Sequence, residues 1–548
     1  MNKSPKLEKS HENGLHPEQP SPFEQKSRLL KLADARHQHD QRSLLNAGRG
    51  NPNWTAIAPR EAFVALQAFA ISECRLDMED PSGLCGVPQK PGISKRFYKY
   101  LQQEAGRPGI DLLTEIFRKG VQFFSPEVDD LVFEFVEGAI GCQYPEPVRM
   151  LHYCERVVRA FLLQELCDGK PPLSEDYDLF ATEGGTAAVC YIFDALVENC
   201  LLKKGDHIAI GVPAFIPYLD IPHLSRFDFE VTYVYASEVD ADGNPTFQYP
   251  DNEIDKLGDT KIKAFFVINP SNPTSVQMCE RSRSHLVEVV KKRNPNLMIF
   301  TDDVYGTFVD GFVSLLNDLP RNTLCIYSFS KHFGATGWRL GVVALHNNNV
   351  YDDMLAEIPQ AEKDRLETLY EHLSLKPGKL KFIDRLAANS RDVALNHTAG
   401  LSAPQQVMMA LFAGASYVDM IQTGSAYKKA TNALIHKRYN LFWEGMGIPV
   451  RHDPNRADYY CTFDVRDWAV KTHGEEFFAW MEANFEPVDI VHRLAEECAI
   501  VLLNGNNIAD PEWSVRISLA TLEDHEYRTI GRLLKSVLNG YAKAWKAQ

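Results

Sequence analysis

The sequence predicts an α/β protein in which a large unit built on a mostly parallel sheet carries a second, smaller α/β unit. Three observations predict it. Between about residues 176 and 345, short apolar runs alternate with amphipathic helical stretches, the pattern of βαβ units. Beyond about residue 425 a long helical pattern, 426–445, leads into two alternating strands and a last helix, a separate α/β arrangement. The chain has 548 residues, 45% of them hydrophobic, which exceeds one ordinary core and has enough apolar material for two.

Taken in order, residues 1–20 are rich in Lys, Glu, His, Gln and Pro and are expected to form a flexible tail. A helix is expected from Ser21-Pro22-Phe23-Glu24 through Leu29, Leu30 and Leu32. Residues 21–59 read as an N-terminal arm and part of the small unit, 60–430 as the large unit, and 431–548 as the small C-terminal unit. Helical insertions are expected near 75–125 and 347–396. Strands are expected at 179–182, 207–210, 264–268, 298–301, 324–329 and 340–345, and in the small unit at 459–465 and 514–519, before a helix at 524–545. A ligand then belongs over the carboxyl ends of the parallel strands.

Composition removes several function classes. The net charge of −15, with no basic block, opposes binding to a phosphate backbone, so nucleic acid is not an expected partner. No apolar run reaches membrane-spanning length and the N-terminus does not read as a secretory signal. Eleven cysteines without a CxxC pair fit reduced thiols in the cytoplasm better than disulfides or a metal site.

The richest segment is Ser328-Phe329-Ser330-Lys331-His332-Phe333-Gly334-Ala335-Thr336-Gly337-Trp338-Arg339-Leu340-Gly341, with Lys331 and Arg339 eight residues apart in a Gly-rich turn. A sheltered lysine can lose its proton and condense with an aldehyde, while Ser328 and Arg339 can hold a phosphate. Pyridoxal 5′-phosphate carries both groups. Thr182-Glu183-Gly184-Gly185-Thr186 joins a strand to a helix, so free N–H groups point over the sheet edge; alone, such a turn is more often ordinary. Val212-Pro213-Ala214-Phe215 puts an aromatic ring between prolines, able to stack on a pyridine ring or to fill the core. Asn269-Pro270-Ser271-Asn272-Pro273-Thr274 and Thr301-Asp302-Asp303-Val304-Tyr305 close two further strands. A carboxylate beside a pyridine nitrogen favours its protonated form. His332 reads as a packed or solvent-facing neighbour of the lysine.

These motifs, in this order, resemble the fold-type I pyridoxal-phosphate enzymes of the aspartate aminotransferase superfamily, from about Leu45 to Leu522. The resemblance implies that Gly185, Thr186, Ser328 and Arg339 hold the phosphate, Phe215 stacks on the ring, Asn272 meets its hydroxyl, and Lys331 carries the cofactor. The family spacing selects Asp302 and Tyr305 and leaves Asp303 as a surface or supporting group. Phe215 departs from the Trp or Tyr common there. In Gly141-Cys142-Gln143-Tyr144-Pro145, Tyr144 matches a tyrosine that reaches the phosphate of a neighbouring subunit, implying a homodimer with shared active sites. Arg516, in Ser514-Val515-Arg516-Ile517-Ser518, would bind an α-carboxylate, and Arg49 and Gly50, in Asn46-Ala47-Gly48-Arg49-Gly50-Asn51-Pro52-Asn53, would line the substrate side, with Lys26 a remoter candidate. The length and the extra blocks make the chain similar to the aspartate 4-decarboxylase family, which converts L-aspartate to L-alanine and carbon dioxide, transaminates aspartate alongside, and assembles dimers into larger homo-oligomers. A plain aminotransferase for dicarboxylic or aromatic amino acids is the alternative; a non-catalytic regulator that senses the cofactor is more remote.

Overall fold

Seven strands form the large sheet: β1 (Tyr177–Thr182), β2 (His207–Val212), β3 (Glu230–Tyr235), β4 (Ile262–Ile268), β5 (Met298–Asp302), β6 (Thr323–Ser328) and β7 (Gly341–His346). Their order is β1-β7-β6-β5-β4-β2-β3. β7 runs antiparallel to both neighbours and the remaining pairs are parallel. The computed structural model describes residues 22–40, 43–124, 127–167, 176–450, 452–505 and 512–547. The tail expected over 1–20 and the side chain of Lys26 lie outside what it describes.

The central strands are Val-, Ile- and Phe-rich and buried on both faces, as parallel strands covered by helices must be. Phe193 of the first helix after β1, Phe266 of β4 and Phe300 of β5 stack with ring centroids 4.3 and 4.4 Å apart, which pins that helix to the sheet. Strand β3 was not expected, and the reason is local. It is an edge strand in which only Val234 is buried, so its sequence lacks the apolar run that betrays the inner strands.

The helices of the large unit include α1 (Ala58–Asp77), α2 (Val128–Ile140), α3 (His152–Leu166), α4 (Gly185–Glu198) and α5 (Ala403–Thr423). The block expected near 75–125 holds helices Ile93–Gln103 and Ile110–Phe124. The one near 347–396 holds Val350–Glu357, Gln360–Tyr370 and Phe382–Asn389.

Two compact units divide the chain differently from the sequence expectation. The large unit is Gly50–Lys437 with Arg451–Cys461, and the small one takes in the chain up to Arg49, Arg438–Val450 and Thr462–Gln548. Residues 50–59 go with the large unit because they are tied to the Lys331 turn by backbone and side chain: Ala56 N–H donates to Phe333 O at 3.1 Å and the Trp54 indole Nε1 to His332 O at 3.1 Å. Segment 451–461 follows for a like reason, with Gln277 N–H donating to Asn455 O at 2.9 Å and Ala457 N–H to Ser275 O at 2.7 Å. In the small unit, Leu45–Asn46 pairs in parallel with Ile500–Val501. Leu503–Asn504 pairs antiparallel with Ser514–Ser518 there, and the last helix is Asp524–Lys546. No helix of the described residues is long and apolar enough to cross a membrane.

Candidate active site

The carboxyl ends of β1, β2, β4, β5 and β6 deliver, in turn, the Glu183–Thr186 turn, Phe215, Asn272, Asp302 and Lys331 to one edge of the large sheet. The register makes this unavoidable: Ile268 pairs with Asp302, Asn269 N–H donates to Asp302 O at 2.9 Å, and Asp303 N–H donates to Ile326 O at 2.9 Å.

At the first of these ends, Gly184 is the N-cap of α4 with φ +94° and no side chain caps the helix, so the first-turn N–H groups remain available to an anion. Arg339, itself at φ +58°, lays its guanidinium over this turn, donating from Nη2 to Glu183 O at 3.2 Å and from Nη1 to Thr336 O at 3.0 Å. A Cβ on Gly184 would collide with that guanidinium. The buried Ser328 hydroxyl donates to the Ser330 hydroxyl at 2.9 Å. The result is a cup of helix N–H groups, hydroxyls and one exposed arginine, the donor set a phosphate dianion needs.

Lys331 is partly buried. Its Nζ donates to Gly50 O at 3.0 Å and lies 5.9 Å from the centre of the Tyr459 ring. Tyr459 shares that acceptor, donating to Gly50 O at 2.7 Å. The Tyr305 hydroxyl donates to that of Tyr460 at 3.2 Å. His332 is fully buried among Phe308, Phe333 and Tyr427, and burial pushes its imidazole down to about 3, so it is a neutral packing group.

Asp302 keeps an exposed edge but is otherwise surrounded by protein. Burial raises its carboxyl to about 6, against the hydrogen bond that Tyr218 donates to Oδ2 at 3.0 Å. Asp303 is not a surface group. It is buried, raised by burial to about 7, and accepts from Thr301 and, at 3.4 Å, from Cys325 Sγ. Successive strand residues face opposite sides of a sheet, so only one of the two aspartates can face the ligand edge.

In the small unit Arg516 is buried, not water-facing, and donates from Nη2 to Gly48 O at 3.1 Å. The loop before Arg49 is woven into that unit by Ala47 N–H to Val501 O at 3.0 Å and Ser518 N–H to Ala47 O at 2.8 Å. Arg49 is exposed. Phe215 is half-buried, Asn272 buried, and Tyr144 is 67% exposed.

Against known proteins, the aminotransferase class I and II family matches residues 173–532. The chain belongs to that family. It is 42% identical over 528 residues to a bifunctional aspartate aminotransferase and L-aspartate β-decarboxylase of a Pseudomonas species, covering 96% of this chain and 97% of the relative. An aspartate/prephenate aminotransferase of Nitrosomonas europaea is 31% identical, but over only 26% of this chain and 35% of its own. The fold matches aspartate aminotransferase from Thermus thermophilus crystallised with maleate, at TM-score 0.54 and 16% identity over 95% of this chain and 97% of that one. Aspartate aminotransferase from Thermotoga maritima matches at TM-score 0.51 and 18% identity, over 94% and 96%.

Class I and II aminotransferases use pyridoxal phosphate, and this is the cofactor of the chain. The large unit holds groups whose chemistry fits it: an uncapped helix N-terminus beside the Arg339 guanidinium, the partly buried amine of Lys331 and the carboxyl of Asp302. Sequence reasoning missed Tyr218, Tyr459 and Tyr460. Tyr218 stands three residues after Phe215 in the same loop-to-helix turn, a usable signal. Tyr459 and Tyr460 read only as strand residues, and their place beside Gly50 exists through long-range folding alone.

Proposed function

We propose that this enzyme removes the β-carboxylate of L-aspartate to give L-alanine and carbon dioxide, and transaminates aspartate alongside. The observation that carries the reading is the identity to the bifunctional Pseudomonas enzyme across nearly the whole of both chains. Bound pyridoxal phosphate supplies an electron sink for a substrate carbon. Lys331 would hold the cofactor and move the proton at the substrate Cα, with Gly50 O as the acceptor for its amine. Asp302, when ionised, would keep the ring nitrogen protonated, and that cationic nitrogen would in turn pull the carboxyl back down from about 6. Gly185, Thr186, Ser328 and Arg339 would fix the phosphate, and Phe215, Asn272 and Tyr305 the ring.

Arg516 binds the α-carboxylate and Arg49 the β-carboxylate, with Gly50 lining the same side. Supporting this asymmetry, Arg516 is buried and anchored while Arg49 is exposed. A firm grip on the carboxylate that must leave would stabilise the charged ground state and slow its loss, so the looser arginine suits the β end.

The enzyme acts as a homodimer with shared active sites, assembled into a larger homo-oligomer. Two features support the dimer. Tyr144 is 67% exposed, and Ile57, Val64, Ile71 and Met78 stand exposed at seven-residue spacing along and beside α1. Eleven free cysteines support a cytoplasmic setting.

Incubating the holoenzyme with aspartate and no keto acid tests the reaction. Alanine in large excess over enzyme is expected; oxaloacetate alone, limited to one equivalent, would leave a plain aminotransferase.

A further inference from the structure

The Tyr305 and Tyr460 hydroxyls lie 3.2 Å apart, both residues are buried, and their rings meet edge to face with centroids 5.6 Å apart. Tyr459 closes the group, its ring 5.1 Å from each of the others. Burial first, and then the neighbouring tyrosines, hold Tyr305 well above the usual phenol range, so it keeps its proton. Tyr460 is fixed from two sides. Its backbone N–H donates to Ser275 Oγ at 2.8 Å, and its hydroxyl fills the place beside Gly50 where a side chain would otherwise stand.

We propose that Tyr460 is a positioning residue that acts on pyridoxal phosphate through Tyr305, its hydroxyl setting the pH at which the bond between cofactor and Lys331 gives up its proton. Tyr305 lies three residues beyond Asp302 on the turn that leaves β5. Either of two paired phenols can donate. With the ring oxygen of the cofactor accepting from Tyr305, the bond between the tyrosines turns round and Tyr460 donates to Tyr305. A hydroxyl that accepts one hydrogen bond is the stronger donor in the next. Tyr305 therefore stabilises the ring oxygen as an anion, most of all when the neighbouring nitrogen has lost its proton and no longer shares that charge. Stronger donation thus favours the deprotonated bond, and taking away the Tyr460 hydroxyl raises the pH at which the proton leaves.

This rests on the reading of Tyr305 as a cofactor residue, and one titration separates the two claims. The absorbance of the cofactor bound to the holoenzyme is followed against pH without substrate. Tyr305→Phe is expected to raise the midpoint; if it does not, the reading of Tyr305 fails and the proposal with it. Tyr460→Phe, which keeps the ring, is expected to raise the midpoint by about half to one pH unit, a roughly three- to tenfold change in proton affinity. In the Tyr305→Phe background the same substitution is expected to add nothing. Gly50→Ala displaces the Tyr460 hydroxyl without deleting it but also crowds Lys331 Nζ, so the part of its upward shift that disappears in the Tyr305→Phe background is the part expected from the proposal, and this covers the case of a Tyr460→Phe protein that cannot be purified. An unchanged midpoint in Tyr460→Phe, or a shift that persists undiminished without the Tyr305 hydroxyl, overturns the proposal.

Discussion

The hydroxyl of Tyr460 occupies the space that a Cβ on Gly50 would need, and the same point lies 3.3 Å from Lys331 Nζ. Residue 50 is a glycine because of what surrounds it and not because of its backbone angles: it is not among the residues with positive φ. Gly50→Ala should therefore push Tyr460 and the lysine apart. A loss of about tenfold or more in kcat/KM is expected, equivalent to about 1.4 kcal/mol of transition-state stabilisation. Tyr460→Phe in the same protein should recover part of it by vacating the contested space, and steady-state kinetics on the single and double variants checks this.

Gly184 faces the opposite constraint, since its φ of +94° is costly for any side chain and a Cβ there would also strike the Arg339 guanidinium. Gly184→Ala is expected to weaken cofactor affinity by at least about tenfold, because both the turn and the arginine over it must move. Equilibrium dialysis of the apoprotein against pyridoxal phosphate gives the answer. An unchanged affinity would remove this turn from the phosphate site.

Glu134, on α2, caps α3 by accepting the N–H groups of Tyr153 at 2.7 Å and Cys154 at 2.9 Å, yet burial raises its carboxyl to about 7. A carboxyl whose pKa is raised by folding contributes stability that is complete below its ordinary value of 4.5 and is lost as the pH climbs through about 7. Glu134→Gln keeps an acceptor for the two N–H groups and cannot ionise. Relative to this variant, the wild type is expected to lose on the order of 1–3 kcal/mol between about pH 5 and pH 8. Thermal unfolding of both proteins across that range isolates Glu134, because Asp302 and Asp303 titrate alike in the two. Parallel curves would mean that Glu134 has no such effect.

The exposed row Ile57, Val64, Ile71 and Met78 is the surface to disrupt if α1 meets a second copy of the chain. Val64→Glu with Ile71→Glu places two carboxylates in that row, where burial against a partner costs several kcal/mol and exposure in the monomer costs little. Sedimentation is expected to show smaller species with normal monomer folding. An unaltered mass would put the subunit contact elsewhere.

Much of the site was legible because each of its motifs is short, contiguous and sits at a strand end. Lys331, Arg339, Asp302 and the Gly184-Gly185-Thr186 turn each announce themselves within a few residues, and parallel pairing carries them to one edge. Asp303 stays open between a surface and a supporting group in the sequence, because the family spacing selects Asp302 but does not tell what lies around its neighbour. Of its two partners Thr301 precedes it on the same strand, but Cys325 comes from β6, which only pairing brings alongside. The extension of the large unit to 451–461 was hidden for a similar reason, since its hydrogen bonds go to Ser275 and Gln277, nearly two hundred residues away.

The sequence by itself determined the α/β class, the order of the inner strands along the chain, and the placing of Lys331, Arg339 and Asp302 in turns at strand ends, because local periodicity and turn chemistry are properties of adjacent residues. Only the tertiary structure decided that Tyr460 stands against Gly50, that Tyr218 holds Asp302, and that Arg516 is buried while Arg49 is not. Those relations join residues tens to hundreds of positions apart. They arise when strand pairing and close packing bring distant segments together, and close-packed contacts leave no periodic mark in the chain.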